Sequence, residues 1–397
     1  MKIQKNPISL TDQQIKNVLG LYSGGQINLA IKQIQILNED YPNVPILYNL
    51  LGACYHSLRQ FDRSLEIFEK AIKIKPDYAE AYFNLGLAFK ELKQFHDSII
   101  SYKKAIHLMP NYFDAHYNLG IVLRQIGDFD GSIESYKKAI SINPSLERAH
   151  NNLSIIYKDL GFYEDALACS EIAISINPNF IEALNNNAII LRKLKRLPEA
   201  LSIYKKIYCI NPNIKFLRGQ IFQLKMHLGI WDNFFNDLDN IEKEINKDKK
   251  VITPFAILGL IDNPGLHRKV TEIFAADKSL NDSETSKIKS YPNHNKIRIG
   301  YFSADFHNHA TMHLLAELFE LHNTKSFELI AFSFGPNQKD IWRERAELAF
   351  DRFIDIASKT DQEIVSLAKH IEIDIAVDLK GYTQDCRPKI FAQRCAP

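Results

Sequence analysis

Residues 79–112 read AEAYFNLGLAFKELKQFHDSIISYKKAIHLMPNY, and the same pattern of side chains recurs along the first half of the chain. Its small, aromatic and leucine positions return every 34 residues, and each unit closes on a proline. These prolines are Pro42, Pro76, Pro110, Pro144, Pro178 and Pro212. Small residues let two antiparallel helices approach closely, and aromatic residues fill the space between them. Proline ends the second helix because it lacks an N–H. The pattern therefore predicts a stack of helical hairpins.

A helix-turn-helix period of 34 residues is the signature of tetratricopeptide repeats. Three units follow the pattern closely, two later ones follow it more loosely, and the first is degenerate. They span residues 45–78, 79–112 and 113–146, then 147–180 and 181–214, and finally 11–44. In the looser units Ser154 and Ala188 replace the glycine. Each repeat buries its apolar side only against its neighbours, so we expect residues 1–214 to form a right-handed superhelix with a concave inner face.

Four asparagines occupy the same place in successive units, two residues before the glycine position. They are Asn84, Asn118, Asn152 and Asn186. We expect the first helix of each repeat to line the concave face, where carboxamides can donate to and accept from the backbone of an extended peptide. The alternative is that these asparagines belong to a common repeat consensus and are solvated or cap a neighbouring turn. The peptide-binding interpretation predicts a protein or peptide in the groove.

The second half of the chain changes character. Residues 215–295 are predicted to form a helical connector, with one helix over 265–277, and a polar linker that begins at residue 278. Residues 296–397 alternate strand and helix. The predicted strands are 297–303, 327–334, 352–356 and 373–379, and the predicted helices are 311–322, 340–350 and 361–370. Such alternation implies a parallel sheet with helices on both faces, which is a Rossmann-like α/β lobe.

The loop after the first of these strands has the most specific sequence. Residues 300–313 read GYFSADFHNHATMH. This resembles the loop that opens the catalytic region of the protein O-linked N-acetylglucosamine transferases, glycosyltransferase family 41, where the pattern is approximately G-Y-x-S-x-D-F-x-x-H-x-x-x-H. Residues 381–387 and 391–397, GYTQDCR and FAQRCAP, resemble two further motifs of the family. The resemblance covers nearly the whole chain.

The resemblance implies an inverting transfer of N-acetylglucosamine from UDP-GlcNAc to Ser or Thr hydroxyls, with no metal or other cofactor. His309 aligns with the family's proposed proton acceptor, and Tyr382 and Thr383 are expected to contact the acceptor. The asparagine series would hold the acceptor protein. Related enzymes transfer fucose or glucose, so the donor sugar stays open. The alternative function is a non-catalytic repeat scaffold that carries a remnant glycosyltransferase lobe.

Family members also possess a second Rossmann-like lobe, which binds the sugar nucleotide and completes a GT-B fold. This sequence contains no G-x-G-x-x-G motif and no P-loop that could hold a diphosphate. We therefore expect the α/β lobe to be the first half of the GT-B catalytic region. We also expect the isolated chain to be inactive, because the donor-binding lobe would lie outside it.

Several polar side chains of this lobe have simpler interpretations. His307, His309 and His313 could converge on a zinc ion, although only Asp305 is at hand to complete the ligand set. Asp305 could orient an imidazole, but we expect it to cap the following helix. A turn with positive φ at Gly381 would explain its motif without any substrate. Three further polar residues are expected to be structural: His370, Asp374 and Asp378.

Composition excludes several classes of protein. The 49 basic and 47 acidic residues leave a net charge of +2, which gives no reason to expect nucleic acid or an anionic membrane as partner. The 5 cysteines include no C-x-x-C pair, which disfavours a disulfide framework and a structural zinc site. No apolar run has the length of a signal peptide or a membrane helix. We therefore expect a cytoplasmic protein.

Overall fold

A computed structural model describes residues 10–278, 291, 294–337, 339–383 and 385–397. The chain divides into two compact units, Met1–Pro212 and Asn213–Pro397. The boundary falls at the last proline of the repeat series. Most of the predicted linker that begins at residue 278 lies outside the described residues.

The first unit consists of antiparallel helical hairpins. Its helices are α1 (Asp12–Ser23), α2 (Ile27–Asp40), α3 (Pro45–Ser57), α4 (Phe61–Ile74), α5 (Ala79–Glu91), α6 (Phe95–Leu108), α7 (Phe113–Gln125), α8 (Phe129–Ile142), α9 (Glu147–Asp159), α10 (Tyr163–Ile176), α11 (Ile181–Lys193) and α12 (Leu197–Ile210). Each helix packs mainly against the helices that precede and follow it along the chain. This nearest-neighbour packing is the arrangement of a repeat superhelix.

Glycine and a buried aromatic ring interlock in three of these hairpins. A methyl group placed on Gly86 would lie 2.7 Å from two ring carbons of Tyr102, and Tyr102 is fully buried. The same relation holds for Gly52 with Phe68 and for Gly120 with Tyr136. The glycine is therefore required by the close approach of the two helices. In the fourth full unit Ser154 replaces the glycine and Ser170 replaces the aromatic residue. The larger side chain at the first position is thus matched by a smaller one at the second.

The second unit begins with four helices of the connector. They are α13 (Leu217–His227), α14 (Phe234–Asn246), α15 (Pro254–Leu258) and α16 (Pro264–Asp277). A small apolar core that includes Phe222, Ile241 and Ile257 holds them together. The predicted helix over 265–277 is confirmed as α16, which begins with a proline at its first turn and an asparagine cap, Asn263.

The rest of the second unit alternates strand and helix. Its elements are β1 (Ile297–Ser303), α17 (Ala310–Glu320), β2 (Phe327–Ser333), α18 (Ile341–Ala349), β3 (Arg352–Asp355), α19 (Asp361–Ile371), β4 (Ile375–Asp378) and α20 (Lys389–Ala392). All strand pairs are parallel, and the strand order is β3-β2-β1-β4. One apolar cluster packs α17 and α18 on one face, and a second packs α19 and α20 on the other. The predicted fold class, a tetratricopeptide superhelix followed by a Rossmann-like lobe, is confirmed.

The strand order creates a switch point in the sheet. From β1 the chain moves outward to β2 and β3, and it then returns to place β4 on the other side of β1. Loops that leave β1 and β4 must therefore diverge to opposite faces, which opens a crevice beyond the carboxyl ends of these strands. Ligands of open α/β sheets bind at such a point. None of the helices in the described part of the chain has both the length and the apolar character to cross a membrane.

Candidate active site

A buried ion pair joins the carboxyl ends of β1 and β4. The Nζ atom of Lys380 lies 3.0 Å from Oδ1 and 2.8 Å from Oδ2 of Asp305. The side chains are 7% and 9% exposed, respectively. Asp378 helps to aim Lys380, because its carboxylate accepts hydrogen bonds from the backbone N–H groups of Lys380 and Gly381 and turns the chain. A charged pair thus lies at the switch point of the sheet.

Asp305 does not cap α17, so the predicted cap is wrong. The cap is His309, whose Nδ1 atom lies 3.2 Å from the backbone N of Thr311. The Asp305 carboxylate is instead held by Lys380, a partner 75 residues away along the chain. The same carboxylate accepts a hydrogen bond of 3.3 Å from the hydroxyl of Thr311. The alternative role that the sequence allowed, orientation of an imidazole, fits this position.

His309 is anchored at one ring nitrogen and open at the other. Its Nδ1 atom lies 3.1 Å from Oγ1 of Thr311 and 3.5 Å from Oδ2 of Asp305. Within the described residues no hydrogen-bond partner reaches Nε2, and 44% of the side chain is exposed. The imidazole therefore faces the open edge of the sheet and not its interior. A nitrogen presented in this way can accept a proton from a bound hydroxyl.

The neighbouring histidines have other environments. Nε2 of His313 lies 2.9 Å from Oδ1 of Asn308, and its ring centre lies 4.0 Å from that of Trp342. Nδ1 of His307 is buried and has no hydrogen-bond partner among the described residues. Across the described ranges there is no group of three His, Cys, Asp or Glu side chains that could hold a metal ion. His307, His309 and His313 thus do not form a three-ligand cluster in this arrangement.

The end of β2 is fixed by a second polar cluster. Asp340 caps α18, and it also accepts a hydrogen bond of 2.8 Å from the backbone N of Asn308. The bond from Asn308, followed by the backbone bond from Arg343, lowers the pKa of the Asp340 carboxyl. Arg343 is itself buried, and it donates to the Ser333 hydroxyl at 3.0 Å. The bond between Asn308 and Asp340 thus joins the loop between β1 and α17 to the loop between β2 and α18.

Tyr382 and Thr383 follow β4 at the same edge. The Tyr382 ring packs edge-on against Phe274 of α16 at 5.4 Å between ring centres. Burial, and to a lesser degree Asp378, raise the pKa of the Tyr382 hydroxyl. The Thr383 hydroxyl donates to the backbone O of Lys380 at 2.8 Å. Both side chains therefore stabilise the turn around Gly381, whose φ is +52°. Their role in acceptor binding stays a prediction.

The four repeat asparagines use their amide groups inside the protein. Asn118 donates to the backbone O of Asp114 at 2.9 Å and accepts from Lys90 at 3.5 Å. Asn152 donates to the hydroxyls of Tyr117 and Tyr136 at 3.3 and 3.2 Å. The other two donate to asparagines one repeat earlier, Asn84 to Asn49 and Asn186 to Asn151, each at 2.9 Å.

All four asparagines are half-buried, which leaves part of each carboxamide accessible. Because each NH₂ group already donates at least one hydrogen bond within the protein, we expect the carbonyl oxygens of Asn84, Asn152 and Asn186 to be the acceptors available to a peptide. Such oxygens can accept hydrogen bonds from the N–H groups of an extended peptide. Binding of a peptide by the series stays a prediction.

The sequence interpretation missed Lys380 and Thr311. Lys380 directly follows an apolar strand, where a lysine that is almost fully buried must have a partner. That position was the available signal, but nothing in the sequence indicated which carboxylate would be the partner.

The protein therefore consists of helical repeats followed by a Rossmann-type lobe, with a cluster of polar side chains at the carboxyl edge of its sheet. Residues 278–397 match the family model described as Glycosyl transferase family 41. Models described as Tetratricopeptide repeat match residues 113–146 and 147–180, and one described as TPR repeat matches 52–93 and 88–125. The chain thus combines segments that match tetratricopeptide-repeat models with a segment that matches the glycosyltransferase family 41 model.

Two relatives with similar sequences have names of the same kind of enzyme. A probable UDP-N-acetylglucosamine–peptide N-acetylglucosaminyltransferase of Arabidopsis thaliana is 33% identical over 102 residues, 26% of this chain and 10% of the relative. The UDP-N-acetylglucosamine–peptide N-acetylglucosaminyltransferase of Caenorhabditis elegans is 30% identical over 113 residues, 27% of this chain and 10% of the relative. The matches therefore span about a tenth of the length of these two relatives.

One solved structure with similarity is a mutant O-GlcNAc transferase of Thermobaculum terrenum. It aligns with 72% of this chain and 49% of its own chain, at 19% identity and a TM-score of 0.46.

Proposed function

We propose that this chain is part of a protein O-GlcNAc transferase, in which the repeats hold the acceptor protein and His309 serves as the proton acceptor. The observation that carries the proposal is the position of His309. Its imidazole is anchored at Nδ1 and open at Nε2, at the switch point of a family 41 segment. UDP-GlcNAc is the proposed donor because the names of the two relatives specify it.

The proposed reaction joins a Ser or Thr hydroxyl to the anomeric carbon of the sugar. The hydroxyl oxygen forms a bond to that carbon on the face opposite the diphosphate, and its proton passes to Nε2 of His309. The bond between the sugar and UDP breaks, and the diphosphate leaves with the electron pair. Positioned proton acceptance of this kind contributes roughly 10²- to 10⁴-fold to a rate. We propose that the step proceeds without a metal ion.

The test is transfer of N-acetylglucosamine to a peptide by the complete protein, followed by mass spectrometry. We expect His309→Ala to lower the rate by about 10²-fold or more and to leave UDP affinity nearly unchanged. His370→Ala is the matched control, because this exposed histidine lies on α19 and not at the carboxyl edge of the sheet. Unaltered turnover in His309→Ala would refute the role of His309, whereas no transfer by the parent protein would favour a non-catalytic repeat scaffold.

The repeats are tested separately with a variant in which Asn84, Asn118, Asn152 and Asn186 are all alanine. We expect this variant to lose affinity for protein acceptors much more than for short peptides, because only a long acceptor would contact several repeats. Affinity is measured with a protein acceptor and with a peptide cut from the same site. Since the asparagines also bond within the repeats, helix content is compared with that of the parent protein. An equal loss for both acceptors would assign the series a structural role.

A further inference from the structure

We propose that Thr311 and Asp305 are positioning residues that hold His309 in the tautomer with the proton on Nδ1, and that Lys380 holds the Asp305 carboxylate in place for this purpose. The proposal rests on the proposed function of His309 as proton acceptor. Only this neutral tautomer leaves a lone pair on Nε2, the nitrogen that is open to the crevice.

Two oxygens and one N–H group compete for Nδ1 of His309. Oγ1 of Thr311 lies at 3.1 Å and Oδ2 of Asp305 at 3.5 Å. The carboxylate can only accept, and the hydroxyl accepts when it donates its own proton to Asp305, so both then favour a proton on Nδ1. The backbone N of Thr311 lies at 3.2 Å, and its N–H favours a bare Nδ1. The first arrangement frees Nε2 to take a proton. The second places a proton on Nε2 and prevents its use as a base.

The hydroxyl of Thr311 connects the imidazole to a charge. It donates to Oδ2 of Asp305 at 3.3 Å, and this leaves its lone pairs available to Nδ1–H. A chain from Nδ1–H to the hydroxyl and on to an ionised carboxylate is stronger than a hydrogen bond between neutral groups. The N–H of Thr311 gives up its partner in this arrangement. This N–H lies in the first turn of α17, next to the exposed residues 308–310, where water can replace that partner.

Lys380 stabilises the carboxylate at the end of this series of hydrogen bonds. A buried carboxylate needs a cationic partner, because a charge removed from water is costly unless it is paired. The Lys380 ammonium bonds both oxygens of Asp305 and fixes the carboxylate beside Thr311. The pair is also neutral as a whole. It can therefore orient the imidazole through the Thr311 hydroxyl without placing an unpaired charge beside it.

The tautomer is measured by NMR of the chain labelled with ¹⁵N-histidine, because protonated and bare ring nitrogens have well-separated shifts. His309→Gln identifies the signals of His309. We expect the parent chain to have its proton mainly on Nδ1. Thr311→Val removes the hydroxyl and keeps the size, so the ratio of the two tautomers should shift about tenfold toward Nε2–H. Thr311→Ser should restore the parent ratio, and Ser366→Ala on α19 should leave it unchanged.

A parent chain with its proton mainly on Nε2, or an unchanged ratio in Thr311→Val, would overturn the proposal. The NMR readout needs no turnover, so it fails independently of the proposed function. If His309→Ala abolishes transfer while Thr311→Val keeps the parent tautomer, the base assignment stands and the positioning role falls. If Thr311→Val shifts the tautomer while His309→Ala remains fully active, the tautomer assignment stands and its use in catalysis is overturned.

Discussion

Replacement of Lys380 by methionine tests how strongly the buried ion pair holds the lobe together. Both side chains of the pair are less than a tenth exposed, and both carboxylate oxygens bond the ammonium. Removal of one partner from such a pair costs about 3–5 kcal/mol, because the other charge stays buried without compensation. Protonation of an ordinary carboxyl at pH 7 costs about 4 kcal/mol, and this sets a ceiling on the loss. Since Asp305 keeps its hydrogen bond from Thr311, we expect Lys380→Met to lower the free energy of unfolding by about 3 kcal/mol.

A second variant separates charge from packing. In the double variant Asp305→Asn, Lys380→Met no charge is left unpaired, so most of the lost stability should return. Asp305→Asn alone leaves a buried ammonium and should resemble Lys380→Met. Lys325→Met is the control, because Lys325 is exposed on the same lobe and should change stability by less than about 0.5 kcal/mol.

The assay is urea unfolding followed by tryptophan fluorescence. The chain has 2 tryptophans, Trp231 and Trp342, and both lie in the unit Asn213–Pro397. Fluorescence therefore reports on this unit without a contribution from tryptophan in the repeats, while circular dichroism follows the whole chain. A loss below about 1 kcal/mol in Lys380→Met, or a double variant as unstable as the single ones, would show that the pair is not buried and coupled as described.

Two further predictions concern the rest of the chain. Gly86→Ala places a methyl group 2.7 Å from the Tyr102 ring, so we expect a net loss of about 1–2 kcal/mol after a gain in helix propensity of up to about 1 kcal/mol. Thermal unfolding of the repeats measures this loss of stability. Gly20→Ala is the control and should not lower stability, because a methyl group there would meet nothing within 4 Å. An equal change in stability in the two variants would contradict the close packing at Gly86. Hydrogen bonds from Lys215 and a second lysine lower the pKa of Asp277 from 3.8 to about 2. Its contribution to stability is therefore complete above about pH 4 and is lost as the pH falls through 2. Asp277→Asn should lower the urea midpoint at pH 7 but not at pH 2. An equal difference in midpoint between variant and parent at both pH values would show that Asp277 does not contribute in this pH-dependent way.

The repeats could be read from the sequence because their contacts are local. Each helix packs on its neighbours in the chain, so a side-chain pattern at a fixed period determines both the helices and their partners. The match between Gly86 and Tyr102 is an example, since the two residues lie on consecutive helices. The alternation of strands and helices likewise predicted the parallel sheet, because parallel strands need a crossover between them.

The partners of the site residues depended on contacts that the sequence does not encode locally. The sequence placed His309 at the carboxyl end of β1 and indicated its exposed loop. It assigned Asp305 to a helix cap, since a cap is the nearest use for an aspartate at that position. Lys380 overrides that preference, because the switch in strand order brings β4 beside β1 and a buried lysine must take the carboxylate that it meets. The sequence by itself thus determined the repeats, the lobe and the candidate base, whereas only the tertiary structure decided which groups surround that base.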